Sequence, residues 1–262
     1  EEVVWNAPIT AIEKNAFNSC EKLKHYPDMS NVKIIREEAF SYSGIETFTT
    51  PASMELMDRP FTHSHCLESV TITHKMDVYG YLAFADCPKL TSFVFHDDIE
   101  NLNEAWYMFS GCTALEEIRL PKKLKKIDRY MFDGCTNLKR LYIGDAITEI
   151  ETGSVYGTAL EELHIEAATP PTQKVSEGLI NNPPFDKFAY ENATVYCPDA
   201  KAYYSNYMWQ RFKKYKLPEA FKYTEVEGGY SATYNLFDYV KDPTTGIDYG
   251  ELFRNAYPDG KL

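Results

Sequence analysis

Residues 108–120, MFSGCTALEEIRL, return 23 positions later as MFDGCTNLKRLYI over residues 131–143. Almost every polar letter differs between the copies, while the apolar letters persist. A duplicated active site would keep its polar letters, because they would do the chemistry. Persistent apolar letters point instead to a repeated way of burying surface.

The phrase extends in both directions from its aromatic anchor. Equivalent positions are Phe17, Phe40, Phe61, Phe84, Phe109, Phe132 and Val155, at steps of 23, 21, 23, 25, 23 and 23 residues. Five or six residues after each anchor stands Leu or Ile: Leu23, Ile45, Leu67, Leu90, Leu115, Leu138 and Leu160. Three further on is a second apolar residue, at Tyr26, Phe48, Val70, Phe93, Ile118, Leu141 and Leu163. The later units add a third at Ile72, Phe95, Leu120, Ile143 and Ile165. Five residues before most anchors comes one more, at Ile12, Ile35, Leu56, Tyr79, Ile127 and Ile150.

These spacings carry a physical reading. In L-x-x-I-x-L the closing alternation has period 2, so alternate side chains point inward from a short strand. The stretch around each anchor, such as Tyr130–Gly134, reads as a tight turn or short helix on the opposite side. A 23-residue unit cannot bury its own apolar face, but stacked units share one core. The expected fold is therefore an α/β solenoid. It is a right-handed coil of about seven 23-residue units over residues 1–166, with parallel strands on the concave face. The longer and shorter steps fall outside the strands, where a solenoid tolerates them.

The pattern AF-xx-C-xx-L-xx-I-x-(L/I)-P-xx-(L/V)-xx-I resembles the BspA-like leucine-rich repeats of bacterial cell-surface proteins. Phe109–Pro121 and Phe132–Ile150 match best; Ser43 and Ser64 replace the Cys, and Pro60 the Ala. AATPP at 167–171, VYCP at 195–198 and YYSNYMWQRFKKY at 203–215 resemble the family's closing segment. That segment, residues 167–217, is expected to cap the coil. Val195 and Tyr196 offer a strand, and Asp199 caps a helix whose apolar face carries Ala202, Tyr203 or Tyr204, Met208, Trp209 and Phe212. Residues 218–262 fall outside the resemblance; turn signals at Gly228-Gly229 and Asp242–Gly246 suggest a hairpin or a linker.

Composition narrows the function. A formal net charge of -12 supplies no basic footprint for nucleic acid, and PKKLKKIDR (121–129) and RFKKYK (211–216) read as solvated faces. No apolar run is long enough to cross a membrane. EEVVWNAPIT is not a signal peptide, so a leader or lipid anchor would lie outside the residues given.

Candidate chemistry is sparse. Cys20, Cys87, Cys112 and Cys135 share the position three after the anchor, so they stack inside the coil. Neighbouring coils could bring Cys112 near Cys87 or Cys135, but three stacked thiols cannot all pair, and Ser serves elsewhere at that position. Free buried thiols are the better reading. THSHC at 62–66 offers His63, His65 and Cys66, with His74 and His96 in the neighbouring unit at different points of the coil; a polar loop explains them better than zinc. No phosphate loop, nucleophile elbow, HExxH or dinucleotide fingerprint is present. The expectation is no enzyme, no catalytic residue, no metal and no cofactor.

What remains is the outward row of the stacked strands. Its first half is small and hydroxylated: Thr47, Thr49, Ser69, Thr71, Ser92. Its second half is charged with one aromatic, and the candidate ligand-binding residues are Glu117, Arg119, Arg140, Tyr142, Glu162 and His164. The resemblance implies a cell-surface adhesion protein, extracellular, with a host or matrix protein as partner. A carbohydrate-binding accessory protein and a structural spacer are the alternatives, the former suggested by 20 tyrosines and 3 tryptophans.

Overall fold

The computed structural model describes residues 3–174 and 182–216, and the backbone of 223–226 and 229–232. The chain winds as a parallel-strand β-solenoid of about nine turns with repeats of about 23 residues. One wall is an eight-stranded sheet in the order 47–49, 69–71, 92–94, 117–119, 140–143, 162–165, 194–196, 214–216. A second wall is a four-stranded sheet (11–12, 34–35, 56–58, 77–79) followed by a three-stranded one (126–127, 149–151, 172–174). Neighbours in all three sheets run parallel, as successive turns of one coil must.

Between the walls lies one apolar core. The expected anchors form its spine, each ring stacked on the next: Phe17–Phe40 at 5.3 Å, Phe40–Phe61 at 5.4 Å, Phe61–Phe84 at 6.0 Å, Phe84–Phe109 at 5.8 Å and Phe109–Phe132 at 5.6 Å. Phe17, in the first turn, is only partly buried, while Val155 continues the column fully buried. The Leu/Ile positions that follow the anchors are buried as well.

The expected α/β layering gives way to an almost purely β coil. Among the described residues, helix is confined to 187–192, 200–204 and a 3₁₀ turn at 209–211. The reason is written in the backbone around the anchors. The residues two before each anchor (Asn15, Glu38, Arg59, Leu82, Tyr107, Tyr130, Gly153) have positive φ, as do those two after it (Ser19, Tyr42, His63, Asp86, Gly111, Gly134, Gly157). Two left-handed residues only four apart cannot belong to a right-handed helix. They fold the chain sharply on both sides of the inward ring instead.

The count of seven units is also corrected. Strand 194–196 pairs in parallel with 162–165, and 214–216 with 194–196, so the closing segment continues the sheet. Val155 pairs with Phe185, a step of 30 residues that hides the next turn from a 23-residue template. Asp199 caps the helix 200–204 by accepting from the Ala202 N–H at 3.0 Å. Tyr203, Met208, Trp209 and Phe212 all face inward.

One register expectation fails. Tyr79 is exposed and Leu56 only half-buried; Met57 and Val78 fill those places, paired with each other in the second wall. A slip of one residue along a strand exchanges its two faces. Beyond the coil, 223–226 and 229–232 pair antiparallel. The turn signal at Asp242–Gly246 lies outside the described residues, as does most of 218–262.

Candidate functional site

The outward row of the eight-stranded sheet is built by register. Arg140 lies between Glu117 and Glu162 on its neighbouring strands, and Tyr142 between Arg119 and His164. Each inward partner in these strands is buried: Ile118, Leu141, Leu163. Alternation then holds the polar set outward. All six predicted residues therefore converge on one strip spanning three strands.

Within the strip two ladders run across the strands. One is ionic: Arg140 Nε donates to Glu117 Oε2 at 2.8 Å, and Arg119 approaches the other Glu117 oxygen at 3.6 Å. The Glu117 carboxylate holds the Arg140 guanidinium above its ordinary range. The other ladder is a stack of flat groups. The Arg119 guanidinium lies 3.5 Å from the Tyr142 ring centroid. Tyr142 stacks on His164 at 4.5 Å, and His164 on Tyr196 at 4.2 Å. His164 Nε2 also lies 2.9 Å from Glu162 Oε2, and Arg119 belongs to both ladders. Cation–π and aromatic stacking of this geometry orient side chains as well as attract them.

Tyr196 escaped the sequence reading as a site residue. The signal was available: TVY at 194–196 aligns with ELH at 162–164, putting Tyr196 outward beside His164. Also unforeseen was an aromatic–arginine group at the turns, with Arg129 3.7 Å from the Trp106 ring and Tyr107 stacked on Tyr130 at 5.0 Å.

The cysteine column has a structural task. The thiols of Cys87, Cys112 and Cys135 donate to the carbonyls of Phe61, Phe84 and Phe109, the anchors one turn earlier, at 3.0–3.2 Å. Ser64 does the same toward Phe40 at 3.1 Å, which explains why Ser can stand in for Cys. All six cysteines are free. Burial pushes the Cys112 thiol up to about 12 and those of Cys87 and Cys135 well above the usual range, so none is a poised nucleophile.

The THSHC segment does not gather. His63 Nδ1 lies 3.1 Å from Asp86, the His63 and His65 rings pack on Tyr42, and His74 Nε2 is 2.6 Å from the Met54 carbonyl. Among the described residues no group of three His, Cys, Asp or Glu side chains could hold a metal ion.

Repeat, ladder and coil can be set against known proteins. The family described as BspA type leucine rich repeat region matches in six copies, over residues 1–107 and 60–173. This chain belongs to that family. Its BspA-type coil is similar to two solved structures. A leucine-rich repeat protein from Bacteroides ovatus ATCC 8483 aligns at 20% identity and TM-score 0.52, over 67% of this chain and 54% of that one. A leucine rich cell surface protein from Faecalibacterium prausnitzii A2-165 aligns at 21% identity and TM-score 0.51, over 77% of this chain and 49% of that one. The chain thus spans about half the length of the solved structures it matches. No curated protein matches it.

Proposed function

We propose that this BspA-type chain is a non-catalytic, extracellular surface protein that binds a protein partner through Glu117, Arg119, Arg140, Tyr142, Glu162 and His164. The observation that carries the reading is the stacked ladder Arg119–Tyr142–His164–Tyr196. Side chains already held by their neighbours lose little freedom on binding, and Arg and Tyr are the residue types that dominate protein interfaces. A surface location draws support from the name of the Faecalibacterium relative, a cell surface protein. No described helix is long and apolar enough to cross a membrane.

The same ladder disfavours carbohydrate as the ligand. A sugar ring stacks on an open aromatic face, whereas Tyr142 and His164 have their faces taken by Arg119 and by each other. A pure spacer would have no use for such an arranged strip.

Binding of the purified chain to a panel of host matrix proteins, beside a glycan array, tests the proposal. The triple variant Arg119→Ala/Arg140→Ala/Tyr142→Ala is expected to lose about tenfold or more in affinity for any matrix protein bound. Undiminished binding by that variant, or recognition confined to glycans, overturns it.

A further inference from the structure

The eight-stranded sheet is not uniform. At four of its junctions the two residues entering a strand donate to one carbonyl of the preceding coil. Glu68 and Ser69 donate to Glu46, Thr91 and Ser92 to Glu68, Lys139 and Arg140 to Glu116, and Glu161 and Glu162 to Lys139. Between 92–94 and 117–119 the corresponding bonds, from Glu116 and Glu117 to Thr91, are absent among the described residues. Register there shrinks to the single pair Val94–Arg119, where the junctions on either side hold three pairs. This junction coincides with the 25-residue step from Phe84 to Phe109, whose extra length lies in the connection between these strands.

Over this junction lies a cleft of about 470 Å³, bordered by Thr91, Ser92, Val94, Asp97, Glu117 and Arg119. That volume lies in the range of real ligand sites. Its wall holds an apolar side chain left half in water, Val94 at 49% exposure, above Phe93 and Phe95. Its lining holds the Thr91 carbonyl and the Glu117 N–H, which the sheet does not pair here. Unpaired backbone groups beside apolar surface are the recognition signature of another peptide backbone, which supplies both a donor and an acceptor at amide spacing.

We infer that this cleft is a binding site for a short extended peptide segment of a protein partner, seating an aliphatic or aromatic side chain on Val94 while its amide groups meet Thr91 O and the Glu117 N–H. The inference rests on the protein-binding reading of the neighbouring strip, with which it shares Glu117 and Arg119, and makes the cleft the anchor for the partner's chain. The donor–acceptor pair at its mouth favours a peptide over a sugar, whose hydroxyls lack that fixed alternation.

The test uses the full chain, isotope-labelled, with N-acetyl-phenylalaninamide as probe and backbone amide resonances as readout. Saturable shifts are expected at Ser92–Val94 and Glu117, weakened about tenfold or more in Val94→Lys. Val94→Thr, which keeps the β-branched shape and a strand-compatible backbone, is expected to weaken them less and guards against misfolding of the lysine variant. N-acetylglycinamide, lacking the side chain, is expected to bind more weakly than the phenylalanine probe. No shift at these amides, equal shifts in Val94→Lys, or the same shifts with methyl glucoside overturns the proposal. The two readings fail separately. Loss of matrix-protein binding in the triple variant but not in Val94→Lys keeps the strip and removes the cleft, and the converse does the opposite.

Discussion

Two junctions one coil apart behave differently. Strand 117–119 joins 140–143 through three register pairs, yet joins 92–94 on its other side through one. Both junctions have the same stacked phenylalanines beneath them, at 5.6 Å and 5.8 Å. The second wall breaks at the same coil, with only the isolated Tyr79–Asn103 pair between its two sheets. The core therefore keeps its spacing where strand pairing thins, while the longer step from 162–165 to 194–196 keeps all three of its pairs. Apolar stacking holds this solenoid, and it continues unbroken beneath a junction whose hydrogen-bond ladder has thinned.

That ordering can be broken from the core side. Phe132→Ala, in the regular half, is expected to cost about 3–5 kcal/mol in denaturant titration, as a buried aromatic truncated inside a tight stack. A loss below about 1 kcal/mol would count against a shared core.

A smaller loss is expected where two regular coils touch backbone to backbone. A Cβ on Gly144 would lie 2.5 Å from the Lys122 Cα and carbonyl oxygen. Gly144→Ala is expected to cost about 1–3 kcal/mol by forcing those coils apart, as overpacking does. An unchanged denaturation midpoint would show that the coils can shift freely.

Strain at the turns predicts a gain. Glu38 holds φ at 56°, where a side chain is disfavoured. Glu38→Gly is expected to stabilise by about 1 kcal/mol, offset in part by the greater freedom of glycine in the unfolded chain.

The regular half also buries Asp128, whose carboxyl is pushed above its ordinary range by loss of water, with Lys126 at 2.6 Å opposing the shift. A raised carboxyl binds its proton more tightly folded than unfolded. Stability from this group is thus greatest in acid and is lost as pH rises from the unfolded value through the folded one. Asp128→Asn is expected to flatten that slope and to be no less stable than wild type at neutral pH; a steeper slope would contradict it. Least of all, Arg119→Ala is expected to change stability by less than about 0.5 kcal/mol, since it sits on the exposed strip.

Much of this was legible in the letters. The anchors, the Leu positions and the outward strip follow from repeat spacing and strand alternation alone, because burial selects residue type at every turn. The paired left-handed residues were not legible, since ten of the fourteen positions flanking the anchors lack glycine and range from Asn15 to Tyr130. Coil geometry enforces those angles, and side-chain type records little of it. The last turns were missed because the step to Phe185 departs from the period. The cleft was visible only as an odd spacing, and its effect on pairing needed three dimensions.

The thiol column has a consequence for where the molecule can live. Because Cys87, Cys112 and Cys135 bond to main-chain carbonyls and not to one another, this column needs no disulfide to hold it. It can be completed in a reducing cytosol and persist in oxidising surroundings without rearrangement. Each shielded sulfur also becomes a built-in reporter, open to alkylation only when its own winding comes apart.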